Sequence, residues 1–264
     1  MSSMENTHKP VLDWLEAQIF EDGPVGDVVD KIPDLDARDA YRLRDALMKR
    51  RIAKGDRHIG YKVAGASRAI QTTEHVEGPM VGCLMHSGLY AEKVPIRIGG
   101  YKRVIVESEV AVLLKNDLSG PGVGITDVLL ATAGLFPAIE VVASRGERVK
   151  RSHAMRIIGS KFTGGGIVIG APMSAPHGID LRLEGMVISI NGEVKGSATG
   201  VEVMGNPLTA VALVANTIAG YGAKLEAGML IMTGSFMGNL PVQPRDDLRV
   251  DFTRLGSVTA RFVE

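Results

Sequence analysis

The spacing of apolar residues changes near residue 57. Before it, apolar positions recur at helical intervals: Val11–Phe20 carries an apolar face, and within Asp36–Lys54 the side chains of Ala40, Leu43 and Leu47 fall on one side. Asp36 stands where a cap is needed, Asp39 in the first turn complements the helix dipole, and Gly55 ends the run. From His58 onward, short β-rich runs are separated by glycine and proline. The pattern predicts strands over Ile59–Val63, Val104–Leu114, Leu135–Val142, Met186–Ile190, Glu193–Ser197, Met229–Thr233, Leu248–Phe252 and Ser257–Val263. Asn191-Gly192 joins two of them as a type I′ hairpin, because both central residues tolerate positive φ. One later helix starts at Asn206-Pro207 and runs to Ala219. The expected class is α+β, with an N-terminal helical layer over residues 1–57 and a β-rich domain over 58–264 whose short strands fit a rolled or barrel-like sheet.

Composition narrows the partners. The chain has 264 residues, enough for a sizeable core, and its 30 basic and 30 acidic residues balance, so no overall field favours nucleic acid or an anionic membrane. Small-molecule chemistry is the expectation. The one cysteine, Cys83, excludes an intramolecular disulfide and fits a reducing compartment, which points to the cytoplasm. Met1–Pro10 does not read as a signal peptide, and no uninterrupted apolar stretch approaches the length of a membrane span. The 32 glycines, with few aromatics, point to tight turns and close backbone approaches.

Candidate chemistry lies in the strands. Alternation along Val104–Leu114 puts Ile105, Glu107, Glu109, Ala111 and Leu113 on one face and Val104, Val106, Ser108, Val110 and Val112 on the other. Two carboxylates stand side by side and neither face is plainly solvated. Buried like charges at this spacing need a cation or a proton, although a solvent-facing strand edge or an Arg or Lys partner also accounts for the two glutamates alone. Glu140 is a third lone acid, in the apolar run Pro137-Ala138-Ile139-Glu140-Val141-Val142. Three carboxylates without histidine or cysteine make a hard-oxygen site suited to Mg²⁺ or Mn²⁺ rather than zinc. His58, His75, His86 and His153 show no paired metal spacing and read as packing or surface residues. Gly164-Gly165-Gly166 lacks the lysine spacing of a phosphate loop.

At these residues the chain resembles the 2-keto-4-pentenoate hydratases and 4-oxalocrotonate decarboxylases of the fumarylacetoacetate hydrolase superfamily. The resemblance is carried by Gly60-Tyr61-Lys62-Val63, Val106-Glu107-Ser108-Glu109-Val110-Ala111, Pro137–Val142 with Ser144-Arg145, Ile231-Met232-Thr233-Gly234-Ser235 and Leu255-Gly256-Ser257-Val258. It implies a rolled mixed β core, a homo-oligomer that can also associate with a pathway enzyme, Mg²⁺ or Mn²⁺ on Glu107, Glu109 and Glu140, and an active-site lysine at Lys62. A 2-oxo acid chelating that cation would have its enolate charge stabilised in place. Lys62 would then act as an acid, as a neutralising charge, or as a base; a surface strand-end lysine is the alternative.

Four departures fall on the substrate side of the family pattern. Ala64-Gly65-Ala66 follows the lysine where relatives often have Gly-Leu-Thr, and Met80 follows Pro79 where hydratases usually carry an acid. An apolar residue there is commoner among the decarboxylases; Glu74 and Glu77 flank the region. The family stretch Asp-x-x-x-Asp-Asn-Ala-Ser reads here as Arg156 to Thr163, with Arg156 and Ser160 for the acids and Lys161 for the asparagine. Ala143 replaces an aspartate found in many relatives. Such a segment, if it faces the site, would accept a second carboxylate; as a solvated loop it would do nothing specific. Thr163 keeps the family hydroxyl and is expected to be catalytic with Lys62, while Ser235, Arg156, Lys161 and Met80 are expected to meet the substrate; capping or turn roles also suit the two hydroxyls. The leading expectation is hydration of a 2-hydroxypenta-2,4-dienoate in aromatic catabolism, then decarboxylation of a 4-oxalocrotonate-type enedioate, then acylpyruvate hydrolysis or a degenerate complex partner.

Overall fold

The computed structural model describes residues 8–20, 26–74, 78–144, 152–159 and 165–264. Helices α1 (Lys9–Phe20) and α2 (Ala37–Ala53) form the expected N-terminal layer. Asp36 caps α2 by accepting the Asp39 N–H at 2.8 Å. Arg50 of α2 reaches Asp13 at 2.8 Å and Glu16 at 3.1 Å on α1, and Lys54 reaches Glu16 at 2.6 Å. The two helices are thus tied by charge on their outer faces and by Leu12, Leu15, Leu43 and Leu47 on their inner ones.

Strands β1 (His58–Ala64), β2 (Met80–Met85), β3 (Leu89–Tyr90), β4 (Ile96–Arg97), β5 (Arg103–Leu114), β6 (Thr132–Ser144) and β7 (Gly165–Ile169) are followed by β8 (Gly185–Ile190), β9 (Glu193–Thr199), β10 (Leu230–Met232), β11 (Leu240–Pro241), β12 (Asp247–Phe252) and β13 (Gly256–Val263). Among them are counterparts of every strand expected from the pattern. The sequence reading missed β2, because all six of its residues are buried and no alternation marks it, and it missed the short helices α3 (Arg68–Glu74), α4 (Ile125–Ala131) and α5 (His153–Gly159). Helix α6 (Pro207–Ala219) is capped by Asn206 as expected. The 20-residue stretch Gly200–Ala219 around it is long and apolar enough to cross a membrane by composition, but half of it is buried inside the protein, as a core helix is. A smaller sheet runs β4-β13-β12-β8-β9, and its β8–β9 turn has Asn191 at φ 53° and Gly192 at φ 81°, both positive as the type I′ reading requires.

The larger sheet runs β2-β1-β10-β5-β6-β7-β3, with β11 pairing the start of β5; β1–β10 and β3–β7 are parallel and the rest antiparallel. Its two end strands are consecutive in the chain. Flat, six strand intervals of about 4.8 Å would hold β2 and β3 about 29 Å apart. The link from Met85 to Leu89 is only the turn His86–Gly88, which spans at most about 14 Å. The sheet must therefore roll. Its outer face meets the helices in the main core through Tyr61, Val63, Val81, Cys83, Val106 and Val110. Its inner face carries a separate buried cluster of Leu84, Ala111, Ala138, Ile167 and Met232.

Two devices hold the roll. Arg44 of α2 is fully buried against the outer face, donating to Val81 O at 2.5 Å, Asp45 at 2.8 Å and the Tyr221 hydroxyl at 2.7 Å. At the seam, Gly166 of β7 lies on Gly88, and a β-carbon at 166 would overlap the Gly88 carbonyl oxygen. Gly166→Ala is expected to destabilise the chain by about 3 kcal/mol, the upper end of overpacking costs, in denaturant unfolding. An unchanged midpoint would show that the seam does not bear on the fold.

Candidate metal centre

Register brings the acids together. Glu107 of β5 lies opposite Glu140 of β6, and Glu109 lies opposite Ala138, so all three glutamates project from the inner face. Lys62 of β1 pairs with Met232 of β10, which in turn pairs with Ala111, so Lys62 shares that face. Its Nζ lies 3.3 Å from Glu140 Oε1. Oxygens of Glu107, Glu109 and Glu140 all lie within 4.8 Å of one another. Burial is graded: Glu109 is 0% exposed, Glu140 1%, Lys62 7%, and Glu107 is half-buried.

Each oxygen of Glu109 has a different fate. Oε2 accepts the Gly234 N–H at 2.8 Å; Oε1 is buried and has no hydrogen-bond partner among the described residues. Burial, then the carboxylates of Glu140 and Glu107, push the Glu109 carboxyl well above its ordinary value, against the smaller opposing pulls of the Gly234 N–H and Lys62. For Lys62, burial alone would disfavour the ammonium, but Glu140, then Glu107 and Glu109, outweigh it and hold the group above its ordinary value. These four side chains set three carboxylates against one ammonium. A buried carboxylate oxygen without a donor, in an all-oxygen set of this span, fits a divalent cation.

The other expected site residues divide. Met80 is 5% exposed and lies on the inner face opposite Ala64, two residue pairs along from Lys62 and Gly82. Ser235 is buried close by, with its hydroxyl donating to Met237 O at 2.5 Å. Arg156 is half-buried on α5, a helix that packs on α2 and β2 and is capped by Ser152, whose hydroxyl accepts the Met155 N–H at 3.1 Å. Lys161 and Thr163, with Ser160, His75 and Glu77, lie outside the described residues. Ala143 pairs with Val104 and faces the main core, so an apolar residue suits it. His58 packs edge-on to Tyr61 at 4.7 Å, and burial lowers its pKa. Sequence reasoning missed the Gly234 N–H, because a backbone donor carries no residue-type signature; the signal was a glycine directly after a predicted strand end.

The comparisons with known proteins show the family and the fold. Residues 52–263 match the family model described as fumarylacetoacetate (FAA) hydrolase C-terminal. The chain is 33% identical over 242 residues to a 4-oxalocrotonate decarboxylase of Pseudomonas putida, covering 89% of each chain. It is also 33% identical over 239 residues to a 2-hydroxyhexa-2,4-dienoate hydratase of Comamonas testosteroni, covering 90% of each. Among solved structures, it superposes on 4-oxalocrotonate decarboxylase from Pseudomonas putida G7, complexed with magnesium and adipate, with a TM-score of 0.89 at 30% identity over 100% of this chain and 99% of that one.

A carboxyl with a raised folded-state pKa contributes stability that is present below its unfolded value and is lost as pH rises through the folded value. The metal-free chain is therefore expected to lose thermal stability as pH rises above the ordinary carboxylate range, and Glu109→Gln to lose less. Melting in EDTA between about pH 5 and 8 checks this. A variant that parallels the wild type across that range would mean that Glu109 is not the strained acid.

Proposed function

The chain belongs to the fumarylacetoacetate hydrolase family, and from that premise we propose that it is a divalent-metal-dependent lyase acting on a small 2-oxo or 2-hydroxydienoic acid. The observation that carries the reading is the trio of Glu107, Glu109 and Glu140, the last two buried, facing Lys62 on the inside of the rolled sheet. Glu107, Glu109 and Glu140 would hold Mg²⁺ or Mn²⁺. When bound, the cation supplies Lewis-acid stabilisation of the charge that develops on the 2-oxo oxygen of the substrate. Magnesium in the Pseudomonas putida G7 decarboxylase supports a divalent cofactor.

The chain's own residues set the rest. Lys62 keeps a proton on Nζ and presents a positive charge on the inner face, where it offsets a substrate carboxylate and can deliver a proton. Leu84, Ala111, Ala138, Ile167 and Met232 form a dry floor beside the acids, which strengthens every electrostatic contact above it. The proposal gives Thr163 a catalytic hydroxyl and gives Arg156, Lys161, Ser235 and Met80 to the substrate, with the basic pair suited to a second carboxylate. A cytoplasmic homo-oligomer completes the reading, supported by the exposed Leu183 and Val194 around the β8–β9 hairpin.

Hydration of a 2-hydroxypenta-2,4-dienoate leads. One observation favours decarboxylation of a 2-oxo-enedioate as the second reading: Met80 is apolar and buried on the inner face, where a water would need a base. Incubation with Mg²⁺ or Mn²⁺ and each acid, followed by ultraviolet absorbance and CO₂ release, separates them. Hydration is expected as loss of dienoate absorbance without CO₂; CO₂ from the enedioate with an untouched dienoate installs the second reading instead. In either case Glu107→Gln is expected to lower kcat by about 100-fold or more, and wild-type turnover in that variant would remove the metal reading.

A further inference from the structure

We propose that a backbone bulge at Gly234 fixes Glu109 as a ligand that offers only one oxygen, and that Gly234 and Ala66 are its positioning residues. The inference rests on the reading that Glu107, Glu109 and Glu140 hold a divalent cation. It concerns what makes that site selective.

The bulge is visible in the hydrogen bonds that follow β10. Its ladder with β5 ends where Met232 faces Ala111. The chain then stays alongside β5: Thr233 donates both its N–H, at 3.2 Å, and its hydroxyl, at 2.9 Å, to Val110 O, and the Phe236 N–H donates to Ser108 O at 2.9 Å. Between those anchors Gly234 and Ser235 are set against the single residue Glu109, two residues opposite one. Ser235 closes the bulge with its hydroxyl on Met237 O at 2.5 Å. With φ at +106°, Gly234 turns its N–H onto Glu109 Oε2 at 2.8 Å.

The bulge has little freedom to relax. A β-carbon at 234 would overlap that of Ala66, in the loop that follows the strand bearing Lys62. Positive φ and close approach both select glycine. With Oε2 tied, Glu109 turns Oε1, its buried oxygen without a hydrogen-bond partner among the described residues, to a cation. One-oxygen ligation suits Mg²⁺ and Mn²⁺, whereas Ca²⁺, with longer bonds of about 2.3–2.6 Å, often takes carboxylates through both oxygens. The bulge therefore biases the centre toward the smaller cations.

The test titrates Mn²⁺ by the EPR signal of the free ion, with Ca²⁺ as competitor, in the wild type, Gly234→Ala and Ser235→Ala, beside melting curves in EDTA. Gly234→Ala is expected to weaken Mn²⁺ binding by about 10- to 100-fold, the usual effect of losing an orienting partner, and to weaken Ca²⁺ binding less. Ser235→Ala, which loosens the bulge and leaves Gly234 in place, is expected to move the Mn²⁺/Ca²⁺ preference the same way by a smaller factor. If Gly234→Ala does not fold, Ala66→Gly is added to relieve the overlap; if that also fails, Ser235→Ala decides. A folded variant with wild-type Mn²⁺ affinity and Mn²⁺/Ca²⁺ preference overturns the positioning role and leaves the metal centre standing. A wild-type chain that binds no Mn²⁺ overturns the metal reading and this proposal together.

Discussion

Three carboxylates held on the inside of a rolled sheet are the constraint around which this molecule is arranged. Glu109 has no solvent contact, and Ala111 and Ala138 beside it on the inner face are apolar. Such a group is tolerable only when something opposes its charge, and the surroundings do so in steps: a lysine from β1, a peptide N–H from the bulge after β10, and a cation where one is bound. The sheet order serves that end. Lys62 and Glu140 stand three strand positions apart, and the roll turns both inward onto the same small volume.

The two faces of the sheet do different work. The outer face is continuous with the helical core and is clamped by Arg44, whose guanidinium lies over the rings of Tyr41, Tyr61 and Tyr221 at 5.0–5.8 Å while bonding Asp45 and the Val81 carbonyl. The inner face has its own small apolar cluster beside the acids. A change in one core therefore reaches the other only through the strands that separate them, which lets the acids be strained without loosening the helical layer.

Much of this was legible because it is local. The Asp36 cap, the Asn191-Gly192 turn, the alternation that puts Glu107 and Glu109 on one face, and the proline-led start of α6 each depend on a few neighbouring residues. Strand β2 was not legible, since it is buried on both sides and six apolar or small residues carry no period. Nor was Ala143, which sequence comparison made suspect and which simply faces the core. The bond from the Ser235 hydroxyl to the Met237 carbonyl, two residues away, likewise carried no mark in the residue types. The seam at Gly88 and Gly166 and the pinning of Glu109 are long-range contacts between backbones, which residue types do not announce.

The bulge after β10 also has a consequence in time. Glu107 and Glu140 sit in adjacent strands and can meet as soon as that hairpin has left the ribosome. Gly234 lies 125 residues beyond Glu109, so the donor that orients the deepest acid is synthesised after most of the chain. A nascent or truncated chain can gather the acids but cannot aim them. Competence to hold the cation tightly thus comes late in synthesis, and it certifies that β10 and the bulge after it have found their place.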